Sequence, residues 1–494
     1  MNAAGKTAVV IGSGVGGLAT AIRLANRGYA VKVFEAQPYV GGKMTKIEQD
    51  GFFWGFGPSL LTMPFLIDEL FLHCGKNPAD YYRYHRVDPI CNYFYPDGTR
   101  LSSSSDAETF ARELEEKLGE PRRNTLNYLR GIQQIYDLTK EVFLFRSLHR
   151  LSTYLRFSTL KSVLQLHRLK VWKTMHQANK EQFVTPKAVQ LFNRYATYNG
   201  SDPYVAPATL NVIAHPEYNQ GGYIMEGGMP ALSAALYRLA QDMGVNFTFS
   251  SPVSRIVTEG KRATGVVVGE TFRAADLVVT NMDVVYTYQQ LLPQVSPPRR
   301  IMEDARSFSG LVFYFGVKKT FSALHVHNIL FSADYPKEFA MLEKGEELTD
   351  DPTVYIFVSQ KMNPGHAPEG CENWFIHINA PAHKGQDWSQ IVPKMREIIL
   401  HKISRHLGED VRPLIVTETV NTPETIAQKT RSFTGSLYGA SSNDRFAAFL
   451  RHPNFSREFD NLFFCGGTVH PGGGVPLCLL SAQIIDEQLL ATAD

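Results

Sequence analysis

Thr7-Ala8-Val9-Val10-Ile11 is a short apolar run rich in β-branched residues, which predicts a buried parallel strand. Gly12-Ser13-Gly14-Val15-Gly16-Gly17 follows, then residues 18–27, where Leu18, Ile22 and Ala25 recur at helical spacing and Gly28 supplies a stop. Residues 30–34 predict a second strand ending at Glu35, so the pattern is one strand–turn–helix–strand unit. Further along, residues 231–243 predict a helix, and 245–249, 253–257, 265–269 and 276–280 predict strands. Residues 300–420 alternate loops with strand-like runs at 311–317, 354–358 and 374–378. A last strand at 461–465 leads through Gly466-Gly467-Thr468 and a glycine-rich stretch into a final helix at 477–490.

One stretch departs from this alternation. Residues 142–180 hold eight cations (Arg146, Arg150, Arg156, Lys161, Arg168, Lys170, Lys173, Lys180) and no acid. They are interleaved with Leu, Phe, Tyr and Trp at helical spacing, which suits a helix lying in an anionic bilayer interface. The plainer alternative is the solvated basic face of ordinary helices packed on a core.

Composition narrows the class. The chain has 494 residues, 44% of them hydrophobic and 20% charged, which excludes disorder, collagen-like repeats and coiled coil. With 50 Lys and Arg against 48 Asp and Glu, no basic excess points to nucleic acid. Five scattered cysteines without a C-x-x-C pair encode neither a disulfide scaffold nor a zinc site, and favour a reducing compartment. The N-terminus runs almost directly into the first strand, so no secretory leader is expected. No uninterrupted apolar run reaches the roughly 18 residues of a spanning helix.

The chemistry begins at Gly12-x-Gly14-x-x-Gly17, between a strand and a helix. The first glycine permits the tight turn, the second lets the backbone approach a pyrophosphate, and the third lets helix and strand pack closely. The helix N-terminus, with Val15 and Gly16 in the turn, supplies partial positive charge. Glu35, 18 residues beyond Gly17, is placed to accept hydrogen bonds from a ribose. Gly41-Gly42 permits a second close approach, and Lys43 can offset diphosphate charge.

A glycine pair and a cation behind the ribose-binding acid resemble the flavoprotein amine oxidase and carotenoid desaturase superfamily. Asn461 to Thr468, followed by His470-Pro471-Gly472-Gly473-Gly474-Val475-Pro476, is similar to the signature of the bacterial, phytoene-type carotenoid desaturases. Gly57-Pro58-Ser59-Leu60 resembles the segment that runs under the flavin in that family. Residues 75–82 and 88–94 look closer to its 1-hydroxycarotenoid 3,4-desaturase branch. Gly55 departs from the pattern, because relatives often carry an Asp there, so no catalytic acid is carried over. The resemblance implies FAD, held by Gly12, Gly14, Val15, Gly16, Gly17, Glu35, Lys43, Gly57, Pro58, Ser59, Leu60, Val253, Asn281, Gly466, Gly467, Val475 and Pro476. No catalytic role is assigned to His470, and no metal is expected.

The implied fold is α/β. A Rossmann-like FAD-binding domain is assembled from residues 1–80, 219–290 and 421–494, with a helical substrate and membrane-associating region at 81–218 and a substrate-domain sheet at 291–420. The implied reaction is C-3,4 desaturation of a 1-hydroxycarotenoid such as 1'-hydroxy-γ-carotene, by hydride transfer to flavin and proton loss. That chemistry calls for a long apolar tunnel and no obligatory triad. The alternatives are a phytoene desaturase, an amine or protoporphyrinogen oxidase, and a non-catalytic isoprenoid binder of the GDP dissociation inhibitor type. A single dinucleotide fingerprint implies no NAD(P)H partner, leaving quinone or O2 to accept electrons. The expected location is cytoplasmic, peripheral on the inner face of the cell membrane.

Overall fold

The strand Thr7–Ile11 forms because its apolar residues are covered on both faces, and it lies at the centre of a five-stranded parallel sheet. The order across this sheet is Leu462–Phe464, Leu277–Thr280, Thr7–Ile11, Ala30–Phe34, Asn246–Thr248. Its strands therefore come from three distant stretches of chain, paired in parallel throughout. A computed structural model describes residues 5–150, 153, 172–444 and 450–491.

Helices Val15–Asn26, Met229–Asp242 and Val475–Ala491 share one core with this sheet through Leu18, Ile22, Leu232, Leu236, Leu480 and Ile485. Arg23 and Arg27 both pair with Asp486, tying the first helix to the last. The first helix begins at Val15 rather than 18, so Gly16 and Gly17 belong to its first turn. Likewise Val475 and Pro476 open the last helix instead of preceding it. Val253–Glu259, Arg262–Val268 and Thr271–Ala274 make a small antiparallel sheet.

A seven-stranded sheet forms the second layer, in the order Ile415–Asn421, Ser309–Val317, Glu372–Ala380, Val354–Val358, His327–Leu330, Cys91–Phe94, Arg100–Ser103. Neighbours run antiparallel except His327–Leu330 and Cys91–Phe94, which are parallel. All nine residues of Ser309–Val317 are buried because both faces are covered. Leu311, Phe313 and Phe315 pack on Met395, Ile399, Leu400 and Ile403 of the helix Trp388–Leu407. Val312 and Tyr314 pack on Phe52, Trp54 and Phe375 on the opposite face.

Two features differ from the sequence expectation. The span 81–218 is not wholly helical, because Cys91–Phe94 and Arg100–Ser103 form a hairpin about the turn at Asp97-Gly98 and join the large sheet. The span 300–420 also contains the helices Tyr335–Lys344 and Trp388–Leu407, of 10 and 20 residues, which the strand-and-loop reading omits. Most of the cation-rich segment (151–152 and 154–171) lies outside the described residues.

Candidate dinucleotide and substrate cavity

The parallel strands all end on one side, and there they open into a cavity of about 600 Å³. It lies at the switch point between Thr7–Ile11 and Leu277–Thr280, where the chain connections diverge and ligands bind in open α/β sheets. Of the seventeen residues expected to hold a dinucleotide, all but Gly17 line it. Gly17 has the packing role: a Cβ there would stand 2.2 Å from the Gly12 carbonyl oxygen, so only glycine lets the helix approach the strand.

The cavity end is a backbone cradle. A Cβ on Gly16 would lie 2.8 Å from the Gly466 amide nitrogen, so the helix N-terminus and the Gly466-Gly467 turn meet backbone to backbone, with the Asn281 side chain beside both. Asn281 is the peg around which they close. Its backbone amide donates to the Ile11 carbonyl at 2.8 Å and its side-chain amide to the Cys465 carbonyl at 3.2 Å. The Gly466 amide in turn donates to Ser481 Oγ at 2.9 Å, a support the sequence reading missed.

Glu35 emerges from the strand Ala30–Phe34 into this cavity. Its carboxylate accepts from the Ser13 amide and hydroxyl, both at 2.7 Å, and from the Gln37 amide at 2.8 Å. A carboxylate offers about four acceptor sites, so one is left for a ligand hydroxyl. Lys43 lines the cavity, but its ammonium donates to the carbonyls of Leu437 (2.8 Å) and Ser436 (3.4 Å). Burial pushes its pKa down, partly opposed by the Asp283 carboxylate. Lys43 therefore anchors the 436–438 loop over the cavity as well as presenting a cation. The cradle of bare backbone, the helix N-terminus and the remaining Glu35 acceptor fit an adenine dinucleotide.

Beyond Gly57-Pro58-Ser59-Leu60 the same cavity continues onto the large sheet. His327 and Ile329, Tyr355, and His377 project from neighbouring strands, with Tyr355 opposite both Ile329 and His377. Ser59 Oγ lies 2.7 Å from the Tyr355 hydroxyl, which lies 2.7 Å from His327 Nδ1. On the far wall Arg194 Nη2 donates to Glu217 at 3.0 Å and to the Tyr93 hydroxyl at 2.6 Å, with both side chains of the ion pair almost fully buried. Tyr195 and Tyr198 also donate to Glu217, each at 2.7 Å. The cavity is apolar over most of its lining, as hydrocarbon chemistry calls for, but it carries these polar groups on the chamber walls. Arg194, Glu217, His327 and Tyr355 were missed because nothing local marks them; a lone acid or base beside tyrosines (Arg194-Tyr195, Glu217-Tyr218) is the only sequence trace.

His470 behaves as a packing residue. It is buried, its Nε2 meets the Arg146 carbonyl at 2.7 Å, and burial pushes its pKa down to about 4.

A parallel sheet with this backbone cradle, joined to a sheet-walled chamber, is the layout of a two-layer dinucleotide-binding protein with a second ligand chamber. Residues 15–485 match the model of the flavin containing amine oxidoreductases, and the chain belongs to that family. It is an FAD-dependent oxidoreductase. The chain is 46% identical over 479 residues to a 1-hydroxycarotenoid 3,4-desaturase of Flavobacterium sp. (strain P99-3), covering 97% of this chain and 98% of the relative. It is 36% identical over 492 residues to a 4,4'-diapolycopene oxygenase of Methylomonas sp., covering 98% of each. Among solved structures, putrescine oxidase bound to putrescine superposes with a TM-score of 0.64 at 15% identity, covering 98% of this chain and 99% of that one. At that identity the likeness concerns the fold alone.

Proposed function

We propose that this enzyme desaturates a carotenoid, removing one hydrogen each from C3 and C4 beside a hydroxylated end group. The observation that carries the reading is the continuity of one cavity, from the Glu35 end to the sheet-walled chamber, in a chain so similar to a 3,4-desaturase over its length. Bound in that cavity, FAD supplies the two-electron acceptor that side chains lack. Glu35 would hold a ribose hydroxyl, the helix N-terminus at Gly14 to Gly17 would hold the diphosphate, and Val253 would bound the adenine end. Gly57 to Leu60, Gly466, Gly467, Val475 and Pro476, which line the same cavity, would hold the ring portion. The chain's remaining work is to align the C3–C4 segment and exclude water. An amine substrate is disfavoured, because the chamber's acid, Glu217, is already paired with Arg194.

The three stretches that build the parallel sheet form the FAD-binding domain in this reading, and the large sheet forms the substrate domain. Carotenoids partition into bilayers, and the cations of 142–180 suit docking on the anionic inner face of the cell membrane. Among the described residues no helix is long and apolar enough to cross a membrane. With a single dinucleotide fingerprint in the sequence, quinone or O2 would take the electrons from the reduced enzyme. Product analysis from carotenoid-producing cells tests the reading: the hydroxylated substrate should lose two hydrogens. Addition of oxygen at a terminal methyl would favour an oxygenase, and conversion of phytoene to lycopene would favour a phytoene desaturase.

A further inference from the structure

The chamber holds an imidazole with an unused end. His327 is only 3% exposed, with its ring stacked near those of Tyr355 and Phe357. Its Nδ1 is engaged by the Tyr355 hydroxyl, which Ser59 Oγ holds in turn. Its Nε2 is buried and has no hydrogen-bond partner among the described residues, although the residue lines the cavity. A buried polar atom left without a partner is costly, and a hydrocarbon cannot supply one.

We propose that His327 Nε2 is the docking point for the hydroxyl of the substrate's end group, and so determines that a hydroxylated carotenoid is aligned for reaction. This rests on the desaturase reading above. A hydroxyl both donates and accepts, so it satisfies Nε2 in either tautomer. Position supports the assignment: only three bonds separate a C1 hydroxyl oxygen from C3, so the site that holds it must lie close to the reacting carbons. The Tyr355–Ser59 link ties His327 to the Gly57 to Leu60 segment assigned above to the ring portion of the flavin. Burial, with smaller pushes from His325 and Arg194, lowers the His327 pKa to about 3. Such an imidazole stays neutral at working pH and is a poor base, which favours docking over proton removal.

The test uses FAD-loaded, full-length enzyme in liposomes, with a 1-hydroxycarotenoid and the same polyene lacking the hydroxyl. His327→Phe keeps an aromatic ring at the position and removes the nitrogens. It should lower kcat/KM for the hydroxylated polyene about 10- to 100-fold and leave the other within about 3-fold. The dissociation constant of the hydroxylated polyene, read by quenching of protein fluorescence, should rise by a similar factor. Tyr355→Phe, which frees the ring but retains it, should erode the preference in the same direction and covers the case in which His327→Phe does not fold. Equal losses on both polyenes, or an unchanged preference, would overturn the docking role and leave the desaturase reading standing. Wild-type enzyme that desaturates neither polyene would overturn both.

Discussion

Replacing Glu35 with alanine should loosen FAD without altering the chemistry. Three acceptor sites of the carboxylate serve Ser13 and Gln37, and about one remains for a ribose hydroxyl. A hydrogen bond to a charged group contributes about 1.5–3 kcal/mol, so the FAD dissociation constant should rise about 10- to 100-fold. The loss of the internal bonds is separable. Ser13→Ala deletes the 2.7 Å hydroxyl bond yet keeps the carboxylate, so it should cost about 0.5–1.5 kcal/mol of stability and shift FAD affinity less than about 5-fold. The assay is quenching of free FAD fluorescence on titration with stripped protein, paired with the flavin absorbance retained after desalting. Product identity in FAD-saturated Glu35→Ala should match wild type. An affinity within about 3-fold of wild type would refute the placement of the ribose at Glu35.

Gly16→Ala forces a Cβ to within 2.8 Å of the Gly466 backbone and should cost about 1–3 kcal/mol with reduced flavin content; full occupancy and wild-type stability would contradict the cradle. Gly131→Ala is the opposite case, in the helix Arg122–Thr139 with open space around it, and should stabilise by about 0.5–1 kcal/mol in urea unfolding. Glu217→Gln leaves Arg194 buried without its counter-charge and should destabilise by about 3–5 kcal/mol; a loss below about 1 kcal/mol would show the pair to be dispensable. Burial holds His377 and His470 near 4, and His327 and His452 near 3, against an ordinary 6.5. The unfolded chain therefore binds protons that the folded one refuses, so stability is full above pH 6.5 and falls as pH drops toward 4, by up to about 1.4 kcal/mol per histidine per pH unit. A urea midpoint unchanged between pH 7.5 and 5 would contradict this.

The dinucleotide end was legible because each of its parts is local. Thr7–Ile11, the glycine turn, the helix and Glu35 lie within thirty consecutive residues, and turn, strand and helix chemistry all agree there. The chamber was not legible, because His327 and Tyr355 come together only through the register of the large sheet, which sequence periodicity does not specify. Arg194 and Glu217, 23 residues apart, meet across a wall of tyrosines for the same reason. The helix Trp388–Leu407 was not read from the sequence; it runs through Pro393, an interior breaker, because Met395, Ile399 and Ile403 bury against Ser309–Val317. Asn281 was picked out for the cofactor and proves also to be the peg that holds the glycine turns together, a role no spacing reveals.

The most direct measurement is a single turnover of FAD-loaded enzyme, without oxygen, in liposomes that carry a 1-hydroxycarotenoid. The flavin absorbance should bleach as an equal amount of polyene loses two hydrogens and its spectrum moves to longer wavelength. A flavin band that stays unchanged while the carotenoid is recovered intact would contradict the account.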